Sequence, residues 1–324
     1  NILSPMFILG VEFTAHTFGI GIVDSSGNIL ANVTDSFTSI DAGMIPDQLA
    51  EHHQKVAEIV LQKALTEAKV DWKQIEFIAY SAGPGIDPAL WAGYNIVKEW
   101  SKNLKERHHK KLVGINHCAA HLSIGKVFNK LKDPCYLYVS GVNTMIVVQD
   151  GGKYRVVGET LDIGLGNMLD KFGRIINLGF PAGPKIEELA KKGKYIELPY
   201  VVKGMDVSFS GILTKVKQLQ EKGVSKEDLC YSLQETCFAM LTEVVERAVA
   251  HTEKKELLLV GGVGANKRFC EMLEIMCKER ECKFYKVPMS LAGDQGAMIA
   301  WEGYLRREES GDIEVNPQWR IDEV

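Results

Sequence analysis

Residues 135–157 read Cys135-Tyr-Leu-Tyr-Val-Ser-Gly-Val-Asn-Thr-Met-Ile-Val-Val-Gln-Asp-Gly-Gly-Lys-Tyr-Arg-Val-Val157. Three apolar runs, Cys135 to Val139, Met145 to Val148 and Tyr154 to Val157, are separated by the turns Ser140-Gly-Val-Asn-Thr144 and Asp150-Gly-Gly152. Short apolar runs bounded by Gly, Asn and Asp predict a three-strand meander. The same pattern opens the chain. Phe7 to Val11 and Gly19 to Val23 flank a Glu12–Thr17 turn, and Asp24-Ser-Ser-Gly27 leads into Ile29 to Val33. Each meander runs into alternating helix and strand. After the first comes a helix from Pro46 to Lys69, with apolar residues at Leu49, Val56, Ile59, Val60 and Ala64. A strand from Ile75 to Tyr80, a Gly-Pro loop from Ser81 to Pro88, a helix from Ala89 to His108 and a strand from Leu112 to Ile115 complete the unit. After the second, Ser225 with Asp228 caps a helix reaching His251, followed by a strand from Leu257 to Val260 and a helix from Ala265.

This repeat predicts a duplicated α/β architecture. It is similar to the paired ribonuclease-H-like domains of the actin, hexokinase and Hsp70 superfamily, and that actin-like likeness implies a central nucleotide cleft. The expected lobes are 6–132 and 133–291, with a final helix from Ala292 to Arg307, inside a segment 292–324, packing back. A length of 324 residues with 46% hydrophobic content favours two domains. A net charge of −4 gives no bulk attraction to nucleic acid, so any RNA contact needs a local basic patch or a partner. No apolar run approaches the roughly 20 residues that span a bilayer, and Asn1 to Pro5 reads as a remnant ahead of Met6, not as a signal peptide. The seven cysteines include no C-x-x-C; Cys230 with Cys237 and Cys270 with Cys277 are spaced for one helix face each. They read as reduced core thiols of a cytoplasmic protein, with the nucleus open to a eukaryotic one.

Five motifs carry chemistry. In His117-Cys-Ala-Ala-His121, with Asn116 as helix cap, the imidazoles fall at i and i+4 on one face, a spacing that suits one metal ion and equally two unconnected histidines. The glutamate of H-E-x-x-H is missing, so a zincin-type peptidase has no general base here. Gly261-Gly-Val-Gly-Ala-Asn266 follows a strand and opens a helix, where backbone amides can approach a phosphate or ribose. The Ser140–Thr144 turn is a second phosphate candidate, and Gly164-Leu-Gly-Asn-Met-Leu-Asp170 places a carboxylate on a helix. In Gly293-Asp-Gln-Gly-Ala297, Asp294 reads either as a helix cap or as the carboxylate that completes the histidine pair.

A series of ordered motifs then joins these. Leu9-Gly-Val-Glu-Phe-Thr-Ala-His16, Ser81-Ala-Gly-Pro-Gly85, Val113-Gly-Ile-Asn-His-Cys-Ala-Ala-His121, Leu137-Tyr-Val-Ser-Gly-Val-Asn-Thr144, Gly158-Glu-Thr-Leu-Asp-Ile-Gly164, Val202-Lys-Gly-Met-Asp-Val-Ser-Phe-Ser-Gly211, Tyr231-Ser-Leu-Gln-Glu235, Gly261–Asn266 and Gly293-Asp-Gln-Gly-Ala-Met298 occur in that order. Together they resemble the archaeal and eukaryotic catalytic subunit of the KEOPS complex, related to bacterial TsaD, over nearly the whole chain. The resemblance implies transfer of a threonylcarbamoyl group from threonylcarbamoyl-AMP to N6 of the adenosine beside the tRNA anticodon. It implies one metal, iron or zinc, on His117, His121, Tyr138 and Asp294. It implies an ATP or threonylcarbamoyl-AMP pocket lined by Ser140, Gly141, Val142, Asn143, Thr144, Asp170, Gly183, Glu187 and Asn266. It also implies KEOPS partners, a small atypical kinase and a dimer-forming subunit, docked on the N-terminal helices, with tRNA held mainly in their company.

The chain departs from the family pattern at several positions. Phe13 stands where the family has Gly or Ser in a turn near the donor, and Val142 replaces a turn glycine, where a β-branched residue resists positive φ. Trp91 stands near a usual arginine, Ala182 replaces a glycine and Gln295 an asparagine. Phe13 and Val142 predict a crowded donor pocket. They favour one alternative, a catalytically weak nucleotide-binding scaffold, while the shared fold and cleft keep a second in view, an actin-like kinase or ATPase.

Overall fold

The structure is a computed structural model that describes residues 5–38, 45–102 and 109–324. Its elements run β1 (Phe7–Glu12), β2 (Thr17–Asp24), β3 (Ile29–Ser36), α1 (Pro46–Ala68), β4 (Ile75–Gly83), α2 (Asp87–Ser101), β5 (Lys111–Asn116), α3 (His117–Phe128), β6 (Cys135–Val139), β7 (Thr144–Asp150) and β8 (Lys153–Glu159). They continue with α4 (Leu165–Ile175), α5 (Gly183–Ala190), β9 (Val202–Lys203), β10 (Asp206–Val207), α6 (Ser210–Glu221), α7 (Lys226–Thr252), β11 (Glu256–Val260), α8 (Lys267–Glu279), β12 (Lys283–Lys286), α9 (Met289–Ala292) and α10 (Gly296–Leu305).

Two compact units result. One holds the chain up to Val127 together with Gly293–Val324, the other Phe128–Ala292. Each has a five-stranded sheet of the same topology, β3-β2-β1-β4-β5 in the first and β8-β7-β6-β11-β12 in the second. In both, an antiparallel meander meets parallel strands through its first strand, Phe7–Glu12 against β4 and Cys135–Val139 against β11.

In the first unit the strand alternation separates two faces. Leu9, Val11, Phe18, Ile20 and Ile22 point into a core with Val56, Val60 and Leu61 of α1 and Leu90 and Val97 of α2. On the other face Gly10 and Gly21 meet α10. A side chain on Gly10 would lie 2.2 Å from the Ala300 amide nitrogen, and one on Gly21 would lie 2.1 Å from that of Ala297. The small residues of α10 therefore rest on bare backbone, and just before it Gln295 lies close over Gly19 of β2. The second core gathers Leu137, Val139, Leu169, Phe172, Leu233, Phe238, Val245, Leu259 and Phe269.

Several boundaries shift from the sequence reading. The helix expected from Ala265 begins at Lys267, because Gly262–Ala265 forms one 3-10 turn and Asn266 caps the helix, its side chain accepting from the Phe269 amide. The last helix begins at Gly296 rather than Ala292. Residues 103–108, where the second helix was expected to end at His108, lie outside the described residues. Phe13 is a correction of consequence. Its ring is fully buried, lies against the bare α-carbon of Gly93 and stacks near Tyr80 at 6.4 Å. Its amide donates to Ser81 Oγ and its carbonyl accepts from His53 Nε2. It is a core residue of the first unit.

Candidate metal centre and nucleotide pocket

Helix α3 begins directly at the end of β5, where the Asn116 side chain accepts from the Ala119 amide at 3.1 Å. His117 and His121 then stand one turn apart with ring centroids 4.7 Å from each other. Both Nε2 atoms face the same oxygen, Oδ1 of Asp294, at 3.5 Å from His117 and 3.2 Å from His121. The two readings of Asp294 are thereby separated. The cap of α10 is Gln295, whose side chain accepts from the Met298 amide, and the Asp294 carboxylate turns to the imidazoles. The three ligand atoms lie within 4.8 Å of one another, a grouping able to hold a metal ion. Tetrahedral bonds of about 2.0–2.1 Å put neighbouring ligand atoms roughly 3.3 Å apart, close to the 3.5 and 3.2 Å separations of the imidazoles from Asp294.

Glu12, at the end of β1, was assigned no role from sequence. It is fully buried. Its Oε2 lies 2.9 Å from Nδ1 of His117, and its Oε1 accepts from the Thr14 amide at 2.7 Å and the Thr14 hydroxyl at 2.6 Å. A carboxylate on Nδ1 fixes the ring and leaves Nε2 to a metal. Burial opposes a charge on His117, but Glu12 and Asp294 outweigh it and raise its pKa to about 9. Burial likewise opposes ionisation of Asp294, yet the two imidazoles hold its carboxyl below the usual range. For His121 burial prevails and lowers the pKa. Cys118, between the histidines, is pushed up to about 12 by burial and is no thiolate nucleophile. Tyr138 lies buried on β6 of the second unit.

The residues expected to line the nucleotide pocket lie inside the second unit and form a linked set. In the 140–144 turn the Ser140 and Gly141 carbonyls accept from the Gly166 and Asn167 amides, and Thr144 Oγ1 accepts from the Leu165 amide. The first amides of α4 are thus satisfied by protein. Gly164 allows this approach, since a side chain there would meet the Val142 carbonyl at 2.2 Å. Val142 itself has no positive φ and is 72% exposed, so its β-branch is unstrained. That corrects the strained turn expected from sequence. Asn143 donates its amide to Ser140 Oγ. Asp170 accepts from the Ala182 amide at 2.9 Å and so holds the start of α5, where Gly183 has open space before its α-carbon. Ala182 packs over bare Gly173, which accounts for its tolerance of a side chain. Glu187 accepts from the Lys267 amide at 2.8 Å, and Asn266 donates to Gln234 at 2.6 Å. Gln234 is a further residue given no role from sequence. The starts of α5 and α8, both rich in amide donors, are joined through Asp170, Glu187 and Asn266. Trp91 is 40% exposed on α2, its ring edge-on to Tyr94.

The family model described as "TsaD: tRNA N6-adenosine threonylcarbamoyltransferase" matches residues 28–301. A Thermococcus sibiricus protein named tRNA N6-adenosine threonylcarbamoyltransferase is 53% identical, over 98% of this chain and 99% of its own length. A Methanobrevibacter smithii protein named as a probable bifunctional tRNA threonylcarbamoyladenosine biosynthesis protein is 45% identical over 98% of this chain, which spans 60% of that longer relative. Among solved structures, Thermococcus kodakarensis HypF superposes with a TM-score of 0.64 at 14% identity, over 93% of this chain and 48% of that one, a likeness of actin-like fold alone.

Proposed function

The chain belongs to the TsaD family of tRNA N6-adenosine threonylcarbamoyltransferases, and from that premise we propose that it transfers the threonylcarbamoyl group of threonylcarbamoyl-AMP to N6 of the adenosine beside the tRNA anticodon. The observation that carries this reading is the convergence of His117, His121 and Asp294, backed by buried Glu12. These residues would hold one iron or zinc ion, for which Tyr138 is the expected fourth ligand, and such an ion would supply a Lewis acid for a donor oxygen.

The remaining steps belong to the chain. Asp170 and Glu187 accept hydrogen bonds from the donor's ribose hydroxyls, a charge-assisted contact, while the Ser140–Thr144 turn, Gly183 and Asn266 shape the floor under its adenosine and phosphate. N6 attacks the carbamoyl carbon, the C–N bond forms, the C–O bond to phosphate breaks, AMP leaves and N6 loses one proton. An exocyclic amine is a weak nucleophile, so orienting and activating the donor matters most. No serine or cysteine nucleophile is needed, in keeping with the raised Cys118 thiol.

The scaffold alternative drew on Phe13 and Val142, of which Phe13 is buried in the first unit's core and Val142 has no positive φ. KEOPS subunits, a small atypical kinase and a dimer-forming subunit, complete the assembly on tRNA. Among the described residues no helix is long and apolar enough to cross a membrane. The test supplies threonine-labelled threonylcarbamoyl-AMP, tRNA and partner subunits. Label should pass to tRNA with release of AMP. ATP hydrolysis or phosphorylation of a small molecule without labelled tRNA would point to the kinase alternative.

A further inference from the structure

The charge of this chain is unevenly spread. Lys171, Arg174, Lys185, Lys191, Lys192 and Lys194 are all exposed, within one stretch that carries only two acidic residues, in a chain of net charge −4. Both acids are engaged: Glu187 accepts from the Lys267 amide, and Glu188 pairs with Lys191. The stretch is anchored. The Lys194 amide donates to Asp228 at 2.6 Å, the Ile196 amide donates to Ser232 at 2.7 Å, and a side chain on Gly193 would strike the Glu227 carbonyl at 2.1 Å. Lys171 and Arg174 stand three residues apart on α4, so they lie on one face of it, and α4 packs against α5, which leads into Lys191, Lys192 and Lys194. Two aromatic rings interrupt the lysines without being buried, Phe180 at 81% and Tyr195 at 56% exposure. Lys171 follows Asp170 directly, and Phe180 lies two residues before Ala182, so the band begins at the rim of the proposed pocket.

We infer that the surface from Lys171 to Tyr195 is the RNA-docking face of this unit, with lysine and arginine on phosphates and Phe180 under an unstacked base. Fixed cations interleaved with exposed rings are what a single-stranded loop needs, because phosphates supply affinity and π-faces accept any base. A band of this size on an otherwise acidic chain binds weakly alone and steers the acceptor loop toward the donor. The inference rests on the transfer reading, which supplies RNA as the substrate.

The test is tRNA binding by the full chain across a salt series starting at low salt. The Arg174→Glu, Lys192→Glu, Lys194→Glu triple variant is compared with the unsubstituted chain and with a Lys153→Glu, Lys283→Glu control pair, also exposed in the second unit. The triple variant should bind more weakly, with a salt slope shallower by about one unit for each phosphate that is no longer neutralised. The control pair should match the unsubstituted chain. Phe180→Ala should weaken binding roughly tenfold at unchanged slope. An unchanged triple variant, equal weakening in the control pair, or no binding by the unsubstituted chain at low salt would overturn the inference. ATP titration of the same samples reports whether the pocket is intact. Transfer by the unsubstituted chain with its partners judges the transfer reading separately.

Discussion

The carboxylate of Glu12 lies 2.9 Å from Nδ1 of His117, across 105 residues of sequence, while its second oxygen is held by both polar groups of Thr14. This pair sets which histidine nitrogen faces Asp294. An outer carboxylate of this kind typically alters metal affinity by about 10–100-fold. Glu12→Ala should therefore weaken metal binding by about that factor, and Glu12→Gln, which keeps an acceptor, by less. Metal titration with a competing chelator measures both. Equal affinity in all three proteins would mean that His117 is oriented without Glu12.

Phe13 belongs to the first unit's core, so its removal should cost stability and gain no ligand. Phe13→Gly empties the space between Gly93 and Tyr80, and large aromatic truncations of this kind cost about 3–5 kcal/mol. Val142→Gly changes an exposed side chain and should shift stability by about 1 kcal/mol or less. Denaturant titration reads both, with nucleotide affinity measured alongside. Tighter nucleotide binding in Phe13→Gly would restore the crowded-pocket expectation.

His53 makes stability depend on pH. It is fully buried beside Phe18, donates from Nε2 to the Phe13 carbonyl, and has Nδ1 3.2 Å from Nδ1 of His52, whose Nε2 lies 2.8 Å from Asp35. Burial first, then the neighbouring His52, lowers its pKa from 6.5 to about 4. The unfolded chain takes up this proton near pH 6.5 while the folded chain refuses it until about pH 4. His53 is thus neutral to stability above pH 6.5, and stability falls between those values by a total of about 3 kcal/mol. The urea midpoint of the unsubstituted protein should drop more between pH 7 and pH 5 than that of His53→Asn. Parallel drops would remove His53 from the account.

The strands were legible because apolar runs such as Cys135–Val139 end at turns of Gly, Asn and Asp, and the same order occurs twice. The His117 and His121 pair was legible because Asn116 marks the helix start. Glu12 was not, since a carboxylate ending an apolar strand shows its partner only when the chain has brought β1 beside α3. Asp294 is ambiguous in sequence because a carboxylate ahead of a helix suits a cap as well as a ligand, and Gln295 takes the cap of α10. Phe13 misled because a turn residue's side-chain direction is set by tertiary packing on Gly93 rather than by spacing. The short helices α5 and α6 escaped notice because Gly-Pro and Lys-rich segments interrupt their periodicity.

Transfer assayed on chelator-stripped protein, with partner subunits, threonylcarbamoyl-AMP and tRNA present and metal returned in steps, tests the central claim most directly. Activity should be lost on stripping and should rise with added iron or zinc until one equivalent per chain is bound, with no recovery in His121→Ala or Asp294→Ala protein. Full transfer by the stripped protein, or full recovery in those variants, would contradict a reaction carried out at His117, His121 and Asp294.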